Sequence, residues 1–181
     1  MQPNGKKLYK AVFLDRDGVI NRCINIKKKC FAPKFYRDFK LYPYVKSSII
    51  KLKKKNYLII VVTNQPDICK KKIKIEEINK MNNKLLDIGV DDIFICPHDQ
   101  KSNCNCRKPK IGLINKVKKK YKIDYNRSYL IGDRQSDIEL AKKINCHPLF
   151  INRYYLENQN YNASKSFYSI KGATKYILEK I

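Results

Sequence analysis

Two carboxylates, Asp15 and Asp17, stand one residue apart where the apolar run at residues 11–14 meets Arg16 and Gly18. A charge at the tip of a buried strand is neutralised unless a cation or metal pairs with it. Two further apolar runs end in polar residues of complementary kinds, Thr63 with Asn64 and Asp133 with Arg134. On a parallel sheet such tips lie along one edge, the crevice where ligands bind. Asp15 and Asp133 can share a hard cation, because Mg²⁺ takes one or two carboxylates together with waters and phosphate oxygens. Thr63 offers a hydroxyl to a phosphate, and Lys108, in Cys106-Arg107-Lys108-Pro109, puts a positive charge just before a helix. These are the parts of phosphoryl transfer. Asp15 can attack phosphorus and form an aspartyl-phosphate that water then hydrolyses, while Asp17 protonates the leaving oxygen and later activates the water.

A second constellation is Cys96-Pro97-His98, followed after a short spacer by Cys104-Asn105-Cys106. Three thiolates and one imidazole complete a tetrahedral set for Zn²⁺, and with every position filled by protein the ion is structural. It would stiffen the loop at residues 96–106 that delivers Arg107 and Lys108. Cys23, Cys30, Cys69 and Cys146 are scattered. The cysteines do not read as a disulfide framework, and Cys23, Cys30 and Cys69 are expected to be free thiols. His147 reads as a structural or surface histidine, and Tyr36, Tyr42 and Tyr44 as packing residues.

The elements that must position these groups follow from periodicity. Residues 11–14, 57–62, 92–96, 128–131 and 148–151 are short apolar or β-branched runs, expected as buried strands. Between them, residues 44–56, 73–86, 110–121 and 137–145 carry apolar side chains at helical spacing, and a terminal helix is expected at residues 172–180. Ser136 is expected to cap the fourth helix, with Glu139 completing a capping box. Residues 18–41 show no firm period and read as a loop or small flap, and residues 1–9 as a poorly ordered lead-in. Strands alternating with helices predict an α/β fold, a doubly wound parallel sheet with right-handed crossovers. No repeat or linker divides the chain, so residues 1–181 are expected as one domain, with a core at about 9–152 and a polar tail at 153–181.

Lys and Arg number 40 against 16 acidic residues, for a formal net charge of +24. That charge attracts anionic substrates, but the lysines are scattered through helix faces and loops, so a dedicated nucleic-acid surface is not expected. No apolar run is long enough to span a bilayer, and the first residues form no apolar signal region. A cytoplasmic, monomeric protein is the expectation.

These motifs, in this order, resemble the haloacid dehalogenase superfamily of phosphatases over residues 10–152. Residues 13–18 look like its first motif, Val61-Val62-Thr63-Asn64 its second, Lys108 its third, and Gly132-Asp133 with Asp137 its fourth. The resemblance implies Asp15 as nucleophile, Asp17 as acid/base and as a Mg²⁺ ligand through its carbonyl, and Asp133 as a Mg²⁺ ligand. It implies Thr63 and Lys108 as phosphate holders and Asp137 as a supporting residue; Asn64 and Arg134 join the candidates for substrate binding. The cysteine loop followed by Arg107-Lys108-Pro109 is similar to that of a capless, zinc-containing branch with histidinol-phosphate and D,D-heptose 1,7-bisphosphate phosphatases, where Arg107 would touch substrate at the pocket rim. Gly18-Val19-Ile20-Asn21 looks like the heptose enzymes; the short zinc loop and Gly132-Asp133-Arg134 look more like the histidinol-phosphate ones. Pro66-Asp67 departs from the Ser-Gly usual in heptose enzymes, and Asp38-Phe39-Lys40-Leu41-Tyr42-Pro43 resembles relatives from surface-sugar pathways. The reading that results is a Mg²⁺-dependent phosphomonoesterase acting on a small phosphorylated sugar, a heptose 1,7-bisphosphate first. The alternatives are a histidinol-phosphate phosphatase, a polynucleotide 3′-phosphatase and a non-catalytic zinc-stabilised binding module.

Overall fold

The side chains of Ala11, Val12, Phe13 and Leu14 are all fully buried. A strand with both faces covered has no reason to alternate polar and apolar residues, which accounts for the unbroken run. The computed structural model describes residues 8–27, 29–155, 163 and 165–180. In chain order the first elements are β1 (Lys10–Leu14), β2 (Ile24–Ile26), β3 (Lys29–Phe31), α1 (Val45–Lys53), β4 (Tyr57–Asn64), α2 (Ile75–Asp87) and β5 (Asp92–Cys96). They continue with α3 (Gly112–Lys120), β6 (Tyr129–Gly132), α4 (Gln135–Lys143), β7 (His147–Ile151), β8 (Ser166–Phe167) and α5 (Ile170–Glu179).

Six strands form one parallel sheet in the order β5-β4-β1-β6-β7-β8. Val12 of β1 lies level with Ile59 of β4 on one side and Tyr129 of β6 on the other. Alternate residues of β1 serve opposite cores. Val12 and Leu14 pack with Ile49 and Leu52 of α1, Met81 and Leu85 of α2, and Ala173 and Ile177 of α5. Ala11 and Phe13 pack with Leu113, Ile114 and Val117 of α3 and Leu140 and Ala141 of α4. Each such large side chain contributes about 1.5–3 kcal/mol of transfer free energy, so the central strand is held from both sides. The fold is the doubly wound α/β architecture that the alternation of elements implies, and no helix among the described residues is long and apolar enough to cross a membrane.

Several local expectations need correction. β4 runs two residues further than expected, through Thr63 and Asn64, because β5 pairs with it to the end, with Asn64 level with Cys96. Residues 18–41 contain a two-stranded hairpin, β2 with β3, rather than only loop. That hairpin brings Cys23 diagonally across from Cys30, with Cα atoms 5.2 Å apart, and the two form a disulfide instead of standing free. Cys69 and Cys146 do remain free thiols. Ser136 does not cap α4: the helix starts one residue before it, at Gln135, and the buried Asp137 carboxylate accepts the Arg134 N–H at 3.2 Å. A fully buried carboxylate must find donors, whereas Ser136 and Glu139 are only half-buried, and Glu139 accepts from Gln135 Nε2. Tyr44, expected to pack, is 56% exposed. His147 is an exposed strand residue bonded to the Asn126 carbonyl. Residues 1–7 of the expected lead-in, and most of the tail before residue 163, lie outside the described residues.

Candidate active site

Because β1 and β6 are neighbours and parallel, their C-terminal tips finish side by side, and the Asp15 N–H donates to the Ile131 carbonyl at 2.9 Å. Asp133 follows the last residue of β6, and Asp137 sits in the first turn of α4. One carboxylate oxygen from each of Asp15, Asp133 and Asp137 lies within 4.8 Å of the others. Asp15 is 6% exposed and the other two are fully buried. The approach is possible because Gly18 has no side chain. Its φ is +91°, and a Cβ there would sit 1.8 Å from Asp133 Oδ2. A Cβ on Gly132 would likewise sit 2.1 Å from that of Asp137.

Lys108 enters from the loop after the cysteine cluster. Its ammonium meets Asp15 Oδ1 at 2.8 Å and Asp137 Oδ1 at 2.6 Å, and donates to the Val62 carbonyl at 2.8 Å. All three N–H donors are engaged. Burial alone would lower the Lys108 pKa, but Asp137 and Asp15 outweigh it and hold the group raised. Burial, then the charges of Asp15 and Asp137, push Asp133 well above the usual carboxylate range. Burial likewise pushes Asp137 up to about 6, against the pull of Lys108. Three carboxylates around one ammonium leave a negative, oxygen-lined recess. That donor set fits Mg²⁺, which favours hard oxygen ligands and would relieve the repulsion.

Asp17 is held apart from this cluster by a separate set of donors. Its carboxylate accepts from Arg16 Nη2 at 3.0 Å, Asn21 Nδ2 at 2.8 Å and Gln65 Nε2 at 2.6 Å. Arg16 is completely buried, its guanidinium over the Phe39 ring. Asn64 uses its side chain on the backbone of Lys108, accepting its N–H at 3.1 Å, and so pins the lysine to the end of β4. A cavity of about 600 Å³ opens at these tips, and Asp15, Asp17, Thr63, Asn64, Arg107, Lys108 and Arg134 all line it. Every residue expected to do chemistry or hold substrate is therefore brought together, with Asp133 buried behind them. Sequence reasoning missed the buried contacts of Arg16 and Gln65, the ring of donors on Asp17, and the hairpin, whose Cys30 and Phe31 form one wall of the cavity. One signal was available: an arginine between two carboxylates at a buried tip must itself be paired.

Cys96, at the end of β5, meets Cys104 and Cys106 with sulfurs 3.6 and 3.1 Å away, and His98 Nδ1 lies 3.2 Å from Cys106 Sγ. A tetrahedron with metal–sulfur bonds of about 2.3 Å has edges of about 3.8 Å, so the four groups are gathered at nearly the right spacing. Burial and the neighbouring Cys106 push Cys96 up to about 12. Against its own burial, the N–H groups of Arg107 and Cys106 draw Cys104 down to about 6. Thiolates packed this densely are stable as anions only around a cation, so the set fits Zn²⁺.

Residues 11–170 match the family model described as polynucleotide kinase 3 phosphatase. The chain belongs to that family. Among the relatives of this phosphatase family, the D-glycero-alpha-D-manno-heptose-1,7-bisphosphate 7-phosphatase of Photorhabdus laumondii is 37% identical over 150 residues, covering 74% of this chain and 77% of the relative. The histidine biosynthesis bifunctional protein of Buchnera aphidicola is 37% identical over 142 residues, 75% of this chain but 39% of that protein. Its counterpart in Baumannia cicadellinicola is 33% identical over 92% of this chain and 49% of that protein. The chain thus spans less than half the length of these two curated relatives. The solved D,D-heptose 1,7-bisphosphate phosphatase from B. bronchiseptica, complexed with magnesium and phosphate, shares the fold, with a TM-score of 0.79 and 24% identity over 95% of this chain and 99% of that one. The expected resemblance to D,D-heptose 1,7-bisphosphate phosphatases is borne out by these relatives, and the expected fold by the solved structure.

Proposed function

We propose that this protein is a Mg²⁺-dependent phosphomonoesterase that removes the 7-phosphate of a D-glycero-D-manno-heptose 1,7-bisphosphate. The observation that carries this reading is the recess in which Asp15 and Asp137 pair with Lys108 and Asp133 lies close to both carboxylates, beside the cavity that Asp15 and Lys108 line. Asp15 and Asp133 through their carboxylates, and Asp17 through its main-chain carbonyl, are the residues that would hold Mg²⁺. When bound, the ion supplies positive charge that lets an anionic nucleophile approach an anionic phosphate. An oxygen of Asp15 forms the new bond to phosphorus as the bond to the leaving sugar oxygen breaks, and Asp17 passes a proton to that oxygen. Asp17 then takes a proton from water, whose oxygen attacks the aspartyl-phosphate; inorganic phosphate departs and Asp15 is restored. The Thr63 hydroxyl holds the phosphoryl oxygens, and the Lys108 ammonium joins it by turning towards them the hydrogen that it gives Asp15 in the free site. Cys96, His98, Cys104 and Cys106 hold a structural Zn²⁺ that stiffens the loop presenting Arg107 and Lys108.

The preference for a bisphosphate rests on the rest of the cavity. Lys70, Arg107, Lys110 and Arg134 line it in addition to Lys108, more cations than one phosphate needs. Asp67 and Asp99 also line it, and two carboxylates favour a second reading, a histidinol phosphate whose ammonium they would pair. In this reading residues 1–181 act as a single domain, monomeric and cytoplasmic, with no nucleic-acid partner. Phosphate release with Mg²⁺ decides among the substrates: both anomers of heptose 1,7-bisphosphate, histidinol phosphate and a 3′-phosphorylated oligonucleotide. At least tenfold higher kcat/KM on a heptose bisphosphate is expected. A higher value on histidinol phosphate or on the oligonucleotide would transfer the assignment to that substrate.

A further inference from the structure

Gln65 lies just past the end of β4 and is 2% exposed. Its side-chain amide is used at every polar site. Nε2 donates one hydrogen to Asp17 Oδ2 at 2.6 Å and the other to Thr63 Oγ1 at 2.9 Å, while Oε1 accepts from Arg16 Nη2 at 2.9 Å. The reverse orientation would set the amide oxygen against the Asp17 carboxylate and the amide hydrogens against the guanidinium, so the network dictates which way it points. Its own N–H donates to the Cys96 carbonyl at 2.8 Å, which ties it to the neighbouring strand.

Two consequences follow from one amide. Thr63 Oγ1 already accepts from Gln65, so the threonine's own hydrogen is left to point elsewhere, and Thr63 lines the cavity beside Asp15. The amide therefore turns the threonine hydroxyl into a donor aimed at a bound anion. At the same time it fixes one oxygen of Asp17, whose other oxygen is held by Asn21 Nδ2 at 2.8 Å. We propose that Gln65 is a positioning residue that keeps the phosphate clamp at Thr63 and the proton donor at Asp17 in register, so that the leaving oxygen receives its proton as its bond to phosphorus breaks. The proposal rests on the phosphatase reading of the site. A neutral amide suits this task, because it can bond a hydroxyl and a carboxylate together without adding charge to a recess that already contains several ions.

The test compares leaving groups. A sugar phosphate departs as an alkoxide and needs the proton of Asp17, whereas p-nitrophenyl phosphate departs as a stabilised phenolate and does not. In Gln65→Met, the single-turnover rate at which the leaving group departs is expected to fall about 10–100-fold with heptose 1,7-bisphosphate, the usual cost of losing a group that orients a reacting residue, and less than about fivefold with p-nitrophenyl phosphate. Single turnovers read the first step alone, because hydrolysis of the aspartyl-phosphate calls on Asp17 with either substrate. Asp17→Asn should show the same split, more steeply. Gln65→Glu keeps the acceptor for Arg16 and nearly the same shape, and should reproduce the split if the Met variant folds poorly. Thermal melts and zinc content monitor folding in each variant. Equal losses on both substrates, or no loss on either, would overturn the proposal by reducing Gln65 to a structural residue or to none. Wild-type protein that releases phosphate from neither substrate would sink the phosphatase reading and this inference with it, and that outcome is read in a separate arm.

Discussion

Replacing Lys108 with Met keeps most of the side-chain volume and removes the ammonium that stands between Asp15 and Asp137 at 2.8 and 2.6 Å. Breaking a buried ion pair from one side costs about 3–5 kcal/mol, because the remaining charge is left unpaired in a poorly solvated place. Lys108 serves two carboxylates, which argues for the upper end of that range. Asp137, pushed up to about 6, can take a proton near neutral pH and shed its charge, which argues for the lower end. The Val62 carbonyl also loses its donor, at about 1 kcal/mol or more. A loss of about 4 kcal/mol is therefore expected in protein dialysed free of Mg²⁺. For a chain of this size, 1 kcal/mol shifts Tm by about 2–4 °C, so the variant should melt about 8–16 °C below wild type. Added Mg²⁺ should recover part of the difference, since a cation among the same carboxylates replaces some of the lost charge. Circular dichroism melts with and without Mg²⁺, with zinc content checked throughout, measure both effects. A drop of less than about 2 °C would mean that the three carboxylates do not depend on this lysine, and the electrostatic account of the recess would fail.

Other outcomes follow from the same geometry. Asp15→Asn should abolish phosphate release while leaving the melt and zinc content close to wild type; turnover that survives would remove Asp15 as the nucleophile. Gly18→Ala would place a methyl 1.8 Å from Asp133 Oδ2 at a backbone φ of +91°. It should weaken Mg²⁺ binding at least about tenfold by calorimetric titration, and an unchanged Kd would show that Asp133 is not a ligand. Elemental analysis should find zinc bound to wild type and absent from Cys104→Ser, with a less cooperative melt in the variant; wild type purified without zinc would refute the tetrahedral assignment.

The parts of the molecule that could be read from the chain are those in which one residue type has one use. An unbroken apolar run such as residues 11–14 has nowhere to go but between two layers, and its polar terminus marks the ligand edge. Four soft ligands in a short segment have few purposes besides a metal. What escaped reading depends on partners distant in sequence. Gln65 bonds Asp17 across 48 positions, and nothing local distinguishes it from an exposed glutamine. Cys23 and Cys30 looked unrelated because the hairpin that aligns them is short, with β2 fully exposed and no apolar alternation to announce it. Ser136 and Glu139 carried the local signature of a helix start, and the buried demand of Asp137 for a donor overrode it. Local propensity is a weak preference of about 1 kcal/mol, whereas an unsatisfied buried carboxylate costs more.

The level pairing of Asn64 with Cys96 has a bearing on how such a protein can change over time. One rung of the sheet carries both the pin for Lys108 and the first thiol of the cysteine cluster. A single inserted residue in either strand would turn every following side chain to the opposite face, dismantling two centres at a stroke. Between that rung and Lys108, length is free to drift in the exposed turn around Lys101 and Ser102, where extra residues could reshape the mouth of the cavity without disturbing what lies beneath it.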